Sequence, residues 1–161
     1  MLKKIAIAAT LAVLASSSFA ADSGRVYAGA DFGTSKLGDL AGRESSFGSF
    51  VGYQVTPMFG IEANVRRLGE STEKFETIRV SQYGLSLVAT KPLTEGLNLF
   101  GRVGYNHLKV TASSGGSDTE NNVMYGVGLA FPVCPNVSAR VELQKPRHDV
   151  NNLSAGVVFQ F

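Results

Sequence analysis

The sequence alternates apolar residues with polar or small ones at a period of two, and the alternation restarts after each turn signal. A period of two places successive side chains on opposite faces of an extended backbone, so it predicts strands. The clearest segment, Phe59–Arg66, carries Phe, Ile, Ala and Val on one face and Gly, Glu, Asn and Arg on the other. We identify eight such segments: Val26–Gly33, Phe47–Val55, Phe59–Leu68, Ile78–Thr90, Leu97–Leu108, Val123–Phe131, Val137–Gln144 and Leu153–Phe161.

The connections between these segments alternate in length. Three are long and polar: Thr34–Ser46, Gly69–Thr77 and Thr111–Asn122. Three are short and contain Pro or Gly: Thr56–Met58, Lys91–Gly96 and Pro132–Asn136. Outer-membrane barrels have short periplasmic turns and longer extracellular loops, and an even number of strands places both termini at the short-turn end. The pattern predicts an all-β fold, an eight-stranded antiparallel up-and-down transmembrane β-barrel.

A soluble periplasmic β-sandwich or a lipocalin-like barrel would show the same period of two. The composition of the two strand faces distinguishes these soluble folds from a membrane barrel. Glycine weakens a solvent-exposed strand but suits the narrow interior of an eight-stranded barrel. The opposite face carries aromatic residues near both strand ends and aliphatic residues between them, as in the two girdles of a membrane barrel. The polar face holds nine glycines: Gly29, Gly48, Gly52, Gly60, Gly84, Gly104, Gly126, Gly128 and Gly156. Both features favour the membrane barrel.

The first 20 residues have the pattern of a secretory signal peptide. Lys3-Lys4 precede the apolar run Ile5–Ala15, and a small-x-small motif ends at Ala20. We predict cleavage between Ala20 and Ala21, which leaves residues 21–161 as the barrel domain; a membrane anchor is the alternative. Removing the two lysines leaves 13 basic residues against 13 acidic ones, and a neutral chain of this kind does not attract nucleic acid.

Two stretches resemble a known family. Gly52–Ala63, with the sequence GYQVTPMFGIEA, resembles the strand-turn-strand repeat of the OmpA-like outer-membrane β-barrel proteins. Ala155–Phe161, AGVVFQF, resembles the terminal signal that the family's assembly machinery recognises, which implies that Phe159 and Phe161 form an assembly signal. The resemblance also implies secretion to the periplasm and a place in the bacterial outer membrane. Because no peptidoglycan-binding domain follows Phe161, we expect no cell-wall-tethering role.

The inward face carries six charged residues, three of each sign. Burying a charge is unfavourable unless it is paired, so equal numbers on several strands predict one ion network in the barrel centre. The same residues would alternatively line a narrow aqueous path or a catalytic cleft. The six are Asp31, Glu62, Arg66, Arg102, Arg140 and Glu142.

The sequence offers no catalytic, cofactor or metal site. Lipid A deacylases on similar barrels use a His-x-Ser pair, but neither His107 nor His148 is followed by serine at that spacing. Palmitoyltransferases of this type need an amphipathic N-terminal helix, and Ala21–Arg25 is too short to supply it. Cys134 is the only cysteine, and two separated histidines have no metal-ligand spacing. We therefore predict a protein that is not an enzyme and binds no cofactor.

The remaining hypothesis is a structural barrel that supports membrane integrity and contacts host or environmental surfaces through its loops. The expected partners are outer-membrane lipid, lipopolysaccharide and the assembly machinery, with the protein itself a monomer. A narrow porin-like channel and a lipid A-modifying enzyme are the alternatives.

Overall fold

The computed structural model describes residues 24–37, 43–73, 76–112 and 117–161. Eight antiparallel strands follow one another around a closed barrel, and β1 pairs with β8 to close it. They are β1 (Arg25–Leu37), β2 (Glu44–Gln54), β3 (Phe59–Glu73), β4 (Glu76–Thr94), β5 (Leu97–Ala112), β6 (Ser117–Cys134), β7 (Val137–Arg147) and β8 (Val150–Gln160). This confirms the predicted fold class. The signal peptide, with Ala20 and Ala21, lies outside the described residues.

The two faces of the strands are inverted relative to a soluble protein. On β3, Ile61 is 45% exposed on the outer face, whereas its neighbour Glu62 is fully buried inside the barrel. An apolar exterior around a charged interior suits a lipid environment and is opposite to what a soluble β-sandwich requires. Within the described segments, no helix is long and apolar enough to cross a membrane.

The barrel has two distinct ends. The turn end contains the start of β1, the end of β8, and the connections at residues 55–58, 95–96 and 135–136. The hairpin end contains the four other connections, including the two-residue turn His148-Asp149. Exposed aromatic side chains surround both ends, as predicted. Phe32, Phe47, Tyr83, Tyr105 and Tyr125 lie toward the hairpin end, and Tyr53, Phe59, Phe131 and Phe159 toward the turn end.

The prediction of long loops was wrong in part, because several strands continue into them. Within the predicted loop Gly69–Thr77, β3 and β4 remain paired as far as Glu73 opposite Glu76. Likewise, β5 and β6 pair from Asn106–Asn122 to Thr111–Ser117. In these two stretches most residues are polar or small at successive positions, so the period of two that predicts a strand disappears. At the turn end, β4 and β6 similarly extend into predicted turns, to Thr94 and Cys134.

Strands β3 to β6 rise beyond their neighbours as a projecting sheet, which we define as residues 68–73, 76–81, 108–112 and 117–124. The β2–β3 ladder ends at Phe47 opposite Arg67, where Leu68 forms a bulge. The β6–β7 ladder ends at Tyr125 opposite Lys145, and the next residue of β7 is Pro146, which has no N–H to donate. Within the described residues, the projecting sheet therefore has two edges without a ladder partner.

Candidate functional site

The six charged residues of the predicted network all come from odd-numbered strands and meet inside the barrel. The even-numbered strands leave space for them, because in the register of the sheet each of the six lies directly opposite a glycine. Small residues on alternate strands let large ones fill a narrow barrel. The opposing pairs include Asp31–Gly156, Glu62–Gly52, Arg66–Gly48, Arg102–Gly126, Arg140–Gly156 and Glu142–Gly128.

Every carboxylate of the network lies between two guanidinium groups. Glu62 is 2.7 Å from Arg102 and 3.0 Å from Arg140. Glu142 lies 2.6 Å from Arg102 and 3.5 Å from Arg140. Asp31 is 2.6 Å from Arg66 and 3.8 Å from Arg140. All six side chains are almost completely buried, and Arg140 is within ion-pair distance of all three acids.

Three aromatic side chains pack against the network from the turn-end side. The Arg140 guanidinium lies over the Phe50 ring, 3.5 Å from its centroid, and 5.6 Å from that of Phe100. The Tyr27 hydroxyl donates a hydrogen bond to Glu62 at 3.3 Å. These contacts were not predicted from the sequence, although Phe50 stands in the inward series between Gly48 and Gly52, and this position is a signal for an inward ring.

A layer of neutral polar side chains continues the network toward the hairpin end. Arg66 donates to Gln144 at 2.9 Å and to Asn152, in addition to Asp31. Asn152 in turn donates to Ser35 at 2.9 Å and to Ser46 at 2.6 Å. These residues carry no charge, so the sequence pattern gave no reason to single them out.

An apolar cluster follows at the hairpin end. Leu68, Leu108 and Val150 are buried there, and Val80 packs against them. The Leu68 side chain is buried like that of Arg66, as expected for residues two positions apart on a strand, and the bulge follows at this point. Water therefore meets an apolar barrier at this end of the interior, beyond the charged and amide layers.

The turn end, in contrast, contains an open chamber of about 390 Å³. Glu62 and Arg140 line it where it meets the network, and Arg25 lines it near the start of β1. Its walls include Tyr27, Val88 and Phe100. Among the described residues, the interior therefore opens into a chamber at the turn end and is covered by the apolar cluster at the hairpin end.

The candidate chemical groups outside the barrel are two histidines, an aspartate and a cysteine, all exposed in the described part of the chain. His107 and His148 are exposed, and the His107 Nδ1 atom is 2.8 Å from the Asn121 side-chain oxygen. Asp149, next to His148, pairs with Arg147 at 3.1 Å. Cys134 is an exposed free thiol. Among the described residues, no group of three or more histidine, cysteine or acidic residues is arranged to hold a metal ion.

The two phenylalanines of the predicted assembly signal occupy different environments. Phe159 lies on the outer face and is exposed, opposite Ala28 and Val137. Phe161 is half-buried just after β8, and its backbone N–H donates to the Val26 carbonyl at 2.9 Å. Their role in assembly stays a prediction.

A family model described as the outer membrane protein beta-barrel domain matches residues 6–161. This chain belongs to that family. The resemblance to small OmpA-like barrels is confirmed, and the family and the relatives below support a location in the bacterial outer membrane. A comparison with curated proteins gives no match.

Three solved structures illustrate the likeness. The N-terminal barrel of Pseudomonas aeruginosa OprF is 18% identical with a TM-score of 0.65, covering 86% of this chain and 98% of that one. Yersinia pestis Ail, in complex with the heparin analogue sucrose octasulfate, is 20% identical with a TM-score of 0.63, covering 86% and 99%. Neisserial surface protein A is 18% identical with a TM-score of 0.61, covering 85% and 96%. At these identities the likeness shows the fold alone.

Proposed function

We propose that this chain is a structural outer-membrane barrel that supports membrane integrity, catalyses no reaction and conducts no ions. The observation that carries the proposal is the ion network between β1, β3, β5 and β7. Removing one member of a buried ion pair leaves an uncompensated charge, so such a network resists opening. It links four strands through side chains, in addition to the backbone ladder around the barrel.

A narrow porin-like channel is the first alternative, and the open chamber at the turn end favours it. The ion pairs, the amide layer and the apolar cluster beyond the chamber all argue against a conducting path. Planar-bilayer recording of the refolded protein separates the two readings. We expect a flat current baseline, and reproducible unitary conductance steps would replace the structural barrel with a channel.

A deletion strain tests the structural role in the cell. We expect increased uptake of a hydrophobic dye and higher sensitivity to detergent, both reversed by the wild-type gene, because the outer membrane loses a stable barrel. Unchanged permeability would contradict the proposal. Mass spectrometry of lipid A from the same strain tests the enzyme alternative, and a difference in acyl chains from the parent strain would establish a lipid A-modifying activity instead.

The projecting sheet favours a second function, contact with host or environmental surfaces. We propose that the hairpin end is extracellular, because longer structures lie on that side in outer-membrane barrels. The β6 edge runs from Ser117 to Met124, and Ser117–Asn121 are exposed. An open edge of this kind accepts an extended peptide as an additional strand. Ail, which shares the fold, binds a heparin analogue in its crystal structure, so a glycan is the alternative ligand.

Adhesion of cells to immobilised matrix proteins tests this surface. Asp118→Pro and Thr119→Pro form a matched pair, because consecutive N–H groups point to opposite edges of a strand. Of these two variants, the one that loses an N–H group pointing to the open edge should reduce adhesion while the barrel still folds. Thr119→Ser keeps the N–H group, so it should leave adhesion unchanged. Equal adhesion of all folded variants would rule out the edge as the contact surface.

The remaining partners in the proposal are outer-membrane lipid, lipopolysaccharide and the assembly machinery, with the barrel acting as a monomer. The exposed apolar belt between the two aromatic girdles suits direct contact with lipid.

A further inference from the structure

Asn64 points into the barrel from β3, between the network residues Glu62 and Arg66. It is 6% exposed, yet within the described residues neither its amide oxygen nor its amide nitrogen has a hydrogen-bond partner. Burying an amide without partners costs free energy, so buried amides in folded proteins bond to protein groups or to ordered water. The Asn64 amide therefore indicates a bound group that both donates a hydrogen bond and accepts one.

Two neighbouring amides each leave an oxygen unpartnered in the described part of the chain, Gln82 on β4 and Asn106 on β5. The Gln82 Nε2 atom lies 3.3 Å from the Met124 sulfur. The Asn106 Nδ2 atom donates to the Pro146 carbonyl at 2.7 Å. A thioether and a carbonyl only accept hydrogen bonds, so these contacts fix which end of each amide is the nitrogen. The oxygens of both amides are therefore left as acceptors that need a donor.

Gly84 brings the three amides together. In the strand register it lies directly opposite Asn64 on one side and Asn106 on the other, and Gln82 follows two residues away on the same face of β4. A Cβ atom at Gly84 would collide with Asn64 Oδ1 and would lie 2.8 Å from the Met124 Cε atom. Asn64 thus extends over the glycine toward the thioether that Gln82 also contacts. The unpartnered atoms belong to one layer of the interior, formed by β3, β4 and β5.

This layer lies between the ion network and the apolar cluster. On β5, Asn106 stands between Arg102, which belongs to the network, and Leu108, which belongs to the cluster. Both neighbours are buried, at 4% and 5% exposure. A small group bound in the layer should exchange slowly with bulk water, because a packed side chain has to move before the group can leave.

We infer that ordered water binds in this layer, accepting a hydrogen bond from the Asn64 amide and donating to the oxygens of Gln82 and Asn106. A cation would bind only the oxygens and an anion only the nitrogen, whereas water donates and accepts. The ion pairs of the interior come from β1, β3, β5 and β7, so the water gives β4 a further contact with the interior. The inference concerns the barrel interior and is independent of the proposed role in the membrane.

A crystal structure at a resolution that shows ordered water tests the site directly. We expect a density peak within about 3.2 Å of the Asn64 amide and of at least one of the two acceptor oxygens. Asn64→Leu should remove the peak. Asn121→Leu makes the same change on the exposed face of β6 and should retain it. A dry layer, an Asn64 amide bonded directly to a protein group, or a peak held only by oxygens at cation distances would each overturn the inference.

Urea unfolding in micelles provides a second test, because Asn64→Ser and Asn64→Ala differ by one hydroxyl group. In a dry layer this hydroxyl has no partner, so Asn64→Ser would have the lower unfolding midpoint of the two. With water bound, the hydroxyl donates and accepts, so Asn64→Ser should have the higher midpoint. Equal midpoints, or a lower one for Asn64→Ser, would overturn the inference. Each variant is first checked for the gel mobility shift on heating that identifies a folded barrel, and the wild-type crystal structure is decisive even if a variant does not fold.

Discussion

Arg140 has a special position among the interior residues, because it alone contacts all three acids and also stacks on Phe50. A planar guanidinium can donate in several directions within one plane while its face lies on an aromatic ring. Lysine at this position would supply a point charge without the stacked face. The network is therefore centred on a residue whose geometry, as well as its charge, fits the space between β1, β3 and β7.

Arg102→Met tests the energetic importance of the network. This substitution removes the partner shared by Glu62 and Glu142, and breaking a buried pair destabilises a protein by about 3–5 kcal/mol. Urea unfolding in micelles measures the loss. The matched control is Arg147→Met, because Arg147 forms exposed pairs with Glu120 and Asp149; exposed pairs contribute about 1 kcal/mol or less. Equal midpoints for Arg102→Met and wild type would show that the interior is hydrated and open.

Gly156→Ala tests the spacing that admits the network. A Cβ atom at this position would lie 2.5 Å from the Ala30 carbonyl oxygen and 2.6 Å from the Asp31 Cβ atom, so neighbouring backbone has to move. We expect a destabilisation of about 1–3 kcal/mol, as for overpacked sites. Gly96→Ala is the control, since nothing lies within 4 Å of a Cβ there, and its free energy of unfolding should stay within about 0.5 kcal/mol of wild type. Similar losses for both would refute the steric argument.

At the scale of single residues, the sequence predicted the charged members of the interior but not their neutral partners. Alternation decides which face a residue occupies, and an inward charge is noticed because it needs compensation. Gln144 and Asn152 also point into the barrel, and their side-chain oxygens accept hydrogen bonds from Arg66. The sequence does not distinguish an inward amide that is hydrogen-bonded from one that is not. The particular ion pairs depend on strand register, which the alternation alone does not give.

At the scale of elements, prediction was successful where the membrane imposes a difference between the two faces. The predicted segment Val137–Gln144 lies within β7, and the predicted Leu153–Phe161 overlaps β8 almost completely. The sequence predicts loops at the outer parts of β3, β4, β5 and β6, because polar residues there occupy successive positions. A backbone ladder can continue through such a segment without any periodic signal in its side chains, so the projecting sheet is visible only in the structure.

The final strand permits a test of the assembly signal. Phe161→Ala removes a half-buried aromatic side chain after β8 but leaves the backbone bond to Val26 in place. If Phe161 acts through recognition, the amount of assembled protein in the outer membrane should fall several-fold, while the purified variant unfolds in urea close to wild type. Leu153→Ala, on the outer face of β8, serves as the control. Normal membrane levels of Phe161→Ala would remove the assembly role and leave the barrel unaffected.

At the scale of the whole molecule, the barrel is asymmetric along its axis. The turn end opens into a chamber, the centre is filled by ion pairs, and the hairpin end is closed by Leu68, Leu108 and Val150. Beyond that closure the projecting sheet continues with an edge on β3 and another on β6. The Leu68 bulge and Pro146 are local features, at the ends of the β2–β3 and β6–β7 ladders. Together they determine that β3 to β6 are the strands that continue beyond the barrel at the hairpin end.

Amide hydrogen exchange, measured by NMR in micelles, tests whether the β6 edge is open in the isolated protein. In residues 117–124, every second amide faces the side without a ladder partner and should exchange on the order of tenfold faster, or more, than its neighbours, which bond to β5. Residues 126–130 are paired on both sides, so their amides should all exchange slowly. Uniform protection throughout β6 would contradict an open edge. If the β6-edge amides were protected and this protection weakened on dilution of the protein, a strand from a second copy of the chain would pair with the β6 edge. The barrel would then not act as a monomer.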